Sequence, residues 1–371
     1  MARSGRKVRW RLEGAIVDAG GIAPGYLRLD ASGRIVERGQ RGTAGPLSPE
    51  ERRVQGVVLP WGVNGHTHLA DGVFHQEPPA LSLAQIVAPP DGLKHRLLAE
   101  TPDPVKEWGI RGSLQAMVRG GIAGVVEFRE EGIRGIRLLR RAARGLPLRV
   151  WGLGRPSTLP AREQEVTALL NEADGLGLSS LRDLPLREAR RLSDACRGAH
   201  RLFAVHASEG TREDLGPILR LRPDLLVHLC RATGEDLDAV REARVSVAVC
   251  PRSNALFRRF PPLASLEARE IPFLLGTDNA MFGAPDLFRE MEFAYLSARS
   301  RGEAVRPETL VRAVFINPWA ALGDPEQASL VPGSPAGALL LRVPTEDPAY
   351  QVVARAGPGK LFVPPRPGPF P

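Results

Sequence analysis

Between residues 57 and 278 one pattern recurs eight times: a short apolar run, then a stretch with helical spacing of apolar positions. The apolar runs are 57–63, 122–128, 148–153, 175–178, 202–206, 225–228, 245–250 and 272–278. Helical patterns such as 104–119, 133–144, 186–198 and 263–269 separate them, and two more follow at 287–299 and 307–321. Strands that alternate with helices run parallel, because each helix carries the chain back across the sheet. Eight such units predict a closed (β/α)8 TIM-like barrel in the α/β class.

The flanks have a different texture. Residues 8–38 alternate polar and apolar side chains around Pro-Gly and Ser-Gly turns, the pattern of antiparallel hairpins. Strand-like runs return at 338–343, 351–355 and 360–363, so both termini are expected to build one small sheet domain. The end, from Pro364 on, is too rich in proline for sheet or helix.

Composition narrows the partners. The formal charge is +8, carried almost wholly by arginine; the lysines are Lys7, Lys94, Lys106 and Lys360. The arginines are scattered through helices among glutamates rather than gathered in an aromatic-interleaved basic stripe. That distribution fits surface ion pairs better than a nucleic-acid partner. No apolar run reaches the ~18 residues of a spanning helix, and the basic start lacks the apolar core of a signal peptide, so a cytoplasmic location is expected. Cys196, Cys230 and Cys250 are widely spaced and expected to be free thiols.

The chemistry sits where strands end. Of seven histidines, His66, His68, His206 and His228 close apolar runs, and so does Asp278. In a barrel the C-terminal strand ends form the rim that carries active sites. His66 and His68, two residues apart on an extended chain, point to one face. Together these positions offer three imidazoles and a carboxylate for one divalent metal, with a histidine left over.

Five motifs carry a resemblance to a known family: Gly62-Val-Asn-Gly-His66-Thr-His68-Leu69, His206-Ala-Ser-Glu209, Val227-His228, Val249-Cys-Pro-Arg-Ser-Asn254 and Leu275-Gly-Thr-Asp278-Asn279. In this order they resemble the amidohydrolase superfamily, in its cytosine-deaminase, guanine-deaminase and chlorohydrolase-like branch. The resemblance implies a composite β-sandwich from residues 1–56 and 329–371 beside a barrel of residues 57–328. It implies that His66, His68, His206 and Asp278 bind one Zn²⁺ or Fe²⁺. His228 would contact the metal's water or the substrate, and Glu209 would shuttle protons. Relatives of this kind commonly form dimers, so a homodimer is among the expected partners. Some members bridge two metals with a carboxylated lysine near the fourth strand; residues 177–183 hold no lysine, so one metal is expected.

The residues agree with that chemistry. A metal draws the pKa of its water toward ~7, Asp278 can accept the water's proton, and Glu209 can protonate a ring nitrogen and then the departing amine. The expected reaction is deamination of a cyclic amidine: an aminopyrimidine, purine or pterin. The alternatives are hydrolysis of a cyclic amide, as in imidazolonepropionase-like relatives, and a non-catalytic barrel. The small-molecule substrate is expected to meet Phe74, His75, Asn254 and Asn279, with residues 75–101 as a lid or wall. Arg129 either holds a substrate carboxylate or phosphate or pairs with Glu130 or Glu131.

Overall fold

The computed structural model describes residues 8–74, 80–89, 91–335 and 337–364. Four strands come first: β1 (Val8–Asp18), β2 (Gly21–Asp30), β3 (Ile35–Gln40) and β4 (Arg52–Pro60). Nine further segments follow. They are β5 (Gly62–His68), β6 (Ile122–Arg129), β7 (Arg149–Gly154), β8 (Gly175–Leu178), β9 (Leu202–Ala207), β10 (Leu225–His228), β11 (Ser246–Val249), β12 (Phe273–Leu275) and β13 (Asp278–Asn279). Last come β14 (Ala338–Leu341) and β15 (Leu361–Phe362).

The nine segments form one parallel sheet in the order β12-β11-β10-β9-β8-β7-β6-β5-β13. Its two ends, β12 and β13, belong to the same stretch of chain, so the ring closes. Phe273–Leu275 pairs with β11, and Asp278–Asn279 pairs with β5. Between them Thr277 N donates to Asn64 Oδ1 at 3.0 Å, and Asn64 Nδ2 donates to Thr277 Oγ1 at 2.8 Å. A side chain there restores the backbone pairing that the strand loses in changing partners. Gly276 is required at this seam, because a Cβ would lie 2.7 Å from the His66 backbone nitrogen. The expected eight-stranded barrel is therefore present. All eight residues of β6 are buried, as a barrel strand covered on both faces should be.

The other strands form a six-stranded mixed sheet, β15-β14-β4-β1-β2-β3, built from both ends of the chain. It has its own apolar core around Leu12, Ile16, Leu27, Leu29, Val58 and Leu340. Two expectations are corrected here. The apolar run 57–63 is not one barrel strand: Val57 and Val58 lie in β4, pairing with β14, and the barrel begins at Gly62. Trp61 marks the break, and its carbonyl accepts from Trp319 Nε1 at 2.8 Å. Residues 351–355 are not a strand but part of a helix, Pro348–Arg355, which buries Ala349, Val352 and Val353. Spacing of three and four places those side chains on one helical face, and a Val-Val pair alone does not distinguish the two structures. Among the described residues no helix is long and apolar enough to cross a membrane. Cys196, Cys230 and Cys250 are free thiols.

Candidate active site

The residues that close the barrel strands meet at one mouth. His66 Nε2 lies 3.3 Å from Asp278 Oδ1 and 3.3 Å from His206 Nε2, and His68 Nε2 lies 3.8 Å from the same Asp278 oxygen. Phe128 packs edge-on beneath them, its ring 4.4 Å from that of His66 and 4.9 Å from that of His206. The outer nitrogens of two imidazoles are committed elsewhere. His206 Nδ1 donates to the Leu178 carbonyl at 2.8 Å, and His68 Nδ1 faces Glu130 Oε1 at 3.1 Å. These contacts turn Nε2 of both rings inward as lone pairs.

Burial pushes the pKa of His66, His68 and His206 down, so protonation does not relieve the facing lone pairs. Burial would push Asp278 up, but His66 and the nearby His228 and His68 hold it well below the usual carboxylate range. Two overlapping sets, one of His66, His68 and His206 and the other of His66, His228 and Asp278, each bring their donor atoms within 4.8 Å of one another, and either set could hold a divalent metal.

His228 has a different environment. Its Nδ1 accepts from Asn254 Nδ2 at 3.2 Å, and its Nε2 lies 3.7 Å from Glu209 Oε2. The same Asn254 nitrogen donates to Glu209 Oε1 at 3.1 Å. With Nδ1 accepting, His228 carries its proton on Nε2 and presents a donor to the cavity. Burial and the Asp278 charge raise the Glu209 carboxyl to about 8, against the pull of Arg259. It therefore keeps its proton at neutral pH beside a carboxylate that has lost its own.

The Pro-Arg-Ser-Asn stretch after β11 organises this side. Arg252 N donates to buried Glu290 at 2.7 Å, Ser253 Oγ donates to Asp278 Oδ2 at 2.5 Å, and Asn254 spans Glu209 and His228. Sequence reasoning placed Asn254 at the substrate and left the adjacent Ser253 as part of the family-like motif, without a role in the site. Asn279 lines the cavity, with its Oδ1 accepting from Met281 N and its buried Nδ2 unbonded. Phe74 packs against the barrel core rather than lining the cavity. His75 lies outside the described residues.

Opposite lies a cluster of buried ions. Arg129 is fully buried, 3.3–3.5 Å from Glu127, Glu130 and Glu131. Glu127 accepts from Thr67 Oγ1 at 2.6 Å and Leu69 N at 2.9 Å, which anchors the His-Thr-His segment. Lys94, from the expected lid, reaches Glu130 at 2.5 Å and Asp71 at 3.3 Å, and lies 3.4 Å from His68 Nδ1. Leu83 and Val87 of the same segment also line the cavity. The role of Lys94 could have been suspected from the scarcity of lysine alone, not from any spacing.

The comparisons agree with this geometry. The Amidohydrolase family profile matches residues 57–359. A protein of Methanothermobacter thermautotrophicus, provisionally named an aminohydrolase, is 33% identical over 321 residues, 81% of this chain and 82% of its own. A protein of Archaeoglobus fulgidus with the same provisional name is 32% identical over 275 residues, 72% of this chain and 78% of its own. Among solved structures, the zinc-bound adenosine deaminase of Xanthomonas campestris superposes with a TM-score of 0.76 at 18% identity, covering 97% of this chain and 92% of that one. The guanine deaminase of C. acetobutylicum with bound guanine gives 0.74 at 10% identity, covering 95% and 97%. At those identities the two structures speak for the fold. Family profile, relatives and donor set converge: the chain belongs to the amidohydrolase family and is a hydrolase of that type, acting on C–N bonds other than peptide bonds.

Proposed function

We propose that the protein deaminates a cyclic amidine of the aminopyrimidine, purine or pterin type, using one divalent ion, Zn²⁺ or Fe²⁺. His66, His68 and His206 would hold the ion through Nε2, and Asp278 through Oδ1. When bound, the ion supplies Lewis acidity that makes water acidic near neutral pH. The chain's own groups then divide the proton work. Asp278, ionised and tethered by Ser253, accepts the proton of the attacking water. Glu209, protonated at the start, donates to a ring nitrogen as the attacked carbon becomes tetrahedral. The proton taken up by Asp278 then passes to the leaving amine, which departs as ammonia, and the hydroxyl proton released on collapse returns to Glu209. His228 Nε2 donates to the developing oxyanion, and Phe128 and Phe282 flank the site and exclude water.

The observation that carries this reading is the pair of buried carboxyls with opposed acidities, Glu209 at about 8 and Asp278 well below its usual range. Neighbouring groups pushed apart in this way are suited to acid and base roles. The test is a screen of the metal-loaded protein against nucleobases, nucleosides and pterins for ammonia release, with lactams in parallel. Ammonia from a heteroaryl amine is expected; ring-opening of a lactam with no ammonia would replace deamination by cyclic amide hydrolysis. Metal analysis should give one ion per chain, and two fully occupied ions would overturn the mononuclear assignment.

A further inference from the structure

The chamber beside the histidines has a volume of about 80 Å³. It is not isolated. Glu130 and Arg155 line it and also line a second, outer cavity of about 580 Å³, walled by His95, Ser157 and Thr158. A ring held at the metal centre would thus have space for a large substituent, provided that the substituent passes Arg155.

Arg155 is the first residue beyond β7, and its backbone is fixed. Its N donates to the Arg129 carbonyl at 2.9 Å, and its carbonyl accepts from Gly132 N at 3.1 Å. Its side chain is half-buried, and burial lowers its pKa although Glu130 and Asp183 are nearby. Yet among the described residues its guanidinium makes no hydrogen bond and no ion pair within 4 Å. The neighbouring acids are already engaged. Glu130 Oε1 takes Lys94 and His68, Glu130 Oε2 faces Arg129 at 3.3 Å, and Asp183 accepts from Ser179. The other cations of the chamber, Lys94 and Arg129, are likewise matched by carboxylates. A half-buried arginine that faces both cavities with its donors unused can offer them to a ligand. Its planar fork fits a carboxylate or phosphate through two parallel hydrogen bonds.

We propose that the substrate is an aminated heterocycle bearing an oxyanion substituent, a carboxylate or a phosphate ester. Arg155 binds that anion at the neck between the two cavities, and the rest of the substituent lies in the outer one beside Ser157 and Thr158. The identity of the reacting ring rests on the deaminase reading; the anion site does not. In this arrangement Arg155 determines specificity by rejecting neutral analogues, which leave its donors unpaired.

The test uses matched pairs on the zinc-loaded, full-length protein: pterin with pterin-6-carboxylate, cytosine with 5-carboxycytosine, and adenosine with adenosine 5′-monophosphate. Ammonia release gives kcat/KM, and fluorescence titration of the pterins gives binding without turnover. The anionic member of at least one pair should be preferred about 10- to 100-fold. Whether the carboxylates or the phosphate wins identifies the oxyanion. Arg155→Gln should collapse that preference, chiefly through KM, while Arg155→Lys should keep part of it. Equal or better use of every neutral member, or a loss in Arg155→Gln that is the same for both members, overturns the proposal. So does the absence of Arg155-dependent binding of every anionic probe, inorganic phosphate included. Arg155-dependent binding with no ammonia from any pair would leave the anion site standing and remove the deaminase reading. Ammonia release with no anionic preference would do the reverse.

Discussion

The two walls of the inner chamber handle charge in opposite ways. On the β5–β6 side, Asp71, Lys94, Glu127, Arg129 and Glu130 are buried together, and each faces an opposite charge within 4 Å. On the β9–β11 side there are few formal charges, and the central acid, Glu209, is held by one neutral amide and a histidine. Burial raises Glu127 of this wall to about 8 as well, but that carboxyl accepts from Thr67 Oγ1 and Leu69 N and does not line the chamber, so the cluster holds geometry. An underpaired, desolvated carboxyl retains a proton that it can release. One wall is thus built to position the His-Thr-His segment, and the other to move protons.

The sharpest way to break that division is to compare His66→Ala with Glu209→Gln. Removing His66 takes away a donor at the centre of the cluster, so metal content and activity should both vanish. Glu209→Gln keeps shape and hydrogen bonding but cannot transfer a proton. It should retain about one ion per chain and lose on the order of 10²–10⁴-fold in kcat. If elemental analysis and steady-state rates find Glu209→Gln fully active, the proton-transfer role of that wall is lost.

The positioning wall makes a claim about stability. Lys94→Met leaves Asp71 and Glu130 buried beside each other without their shared cation. Breaking a buried ion cluster by removing one partner costs about 3–5 kcal/mol. Thermal denaturation should show a fall of that order, with weakened metal retention, since Glu130 also orients His68. A Tm and a metal affinity both unchanged would mean that the cluster neither stabilises nor positions anything. Removing the metal by chelation should also lower the Tm, by an amount that grows with the free metal concentration of the reference sample.

These walls were unequally legible in the amino-acid sequence. The metal donors and Glu209 could be read because each lies at or just past a strand end, where local periodicity places it. Arg155 also follows a strand directly, but nothing local distinguishes it from the many arginines that pair on the surface. Its unpaired state depends on Glu130 being engaged by Lys94, a contact across 36 positions of sequence. Lys94 itself reaches the site through the short helix Leu93–Glu100, set by tertiary packing rather than by a motif. Arg129, left between a substrate role and a structural pair, has its carboxylate partners around it in the structure. The outline of the barrel was legible for the same local reason, while the break at Trp61 was hidden inside one continuous apolar run.

A pH profile sharpens the comparison further. The Glu209 carboxyl is raised to about 8, so the protonated, donating form persists at neutral pH and is lost as pH rises. Turnover should hold on the acid side of that value and fall about tenfold per pH unit beyond it. A divalent cation nearby favours the carboxylate, so the limb should appear at or below 8 in the loaded enzyme. A rate that keeps climbing above that range would exclude Glu209 as the acid.

The smallest effect expected is that of Ser253→Ala. Ser253 Oγ holds Asp278 Oδ2 at 2.5 Å, leaving Oδ1 toward His66 and His68. The alanine variant removes one hydrogen bond to a carboxylate and leaves every proposed metal donor in place. A partner that orients a ligand in this way contributes about tenfold to activity or affinity. Because Asp278 would serve both as ligand and as the water's base, the balance between the two losses is informative. A drop in kcat with metal affinity intact would place the hydrogen bond in proton transfer. A drop in affinity with kcat intact at saturating metal would place it in holding the ion. Ser253→Thr, which keeps the hydroxyl, should recover whichever is lost; failure to recover either would mean that packing around residue 253, rather than its hydrogen bond, sets the Asp278 geometry.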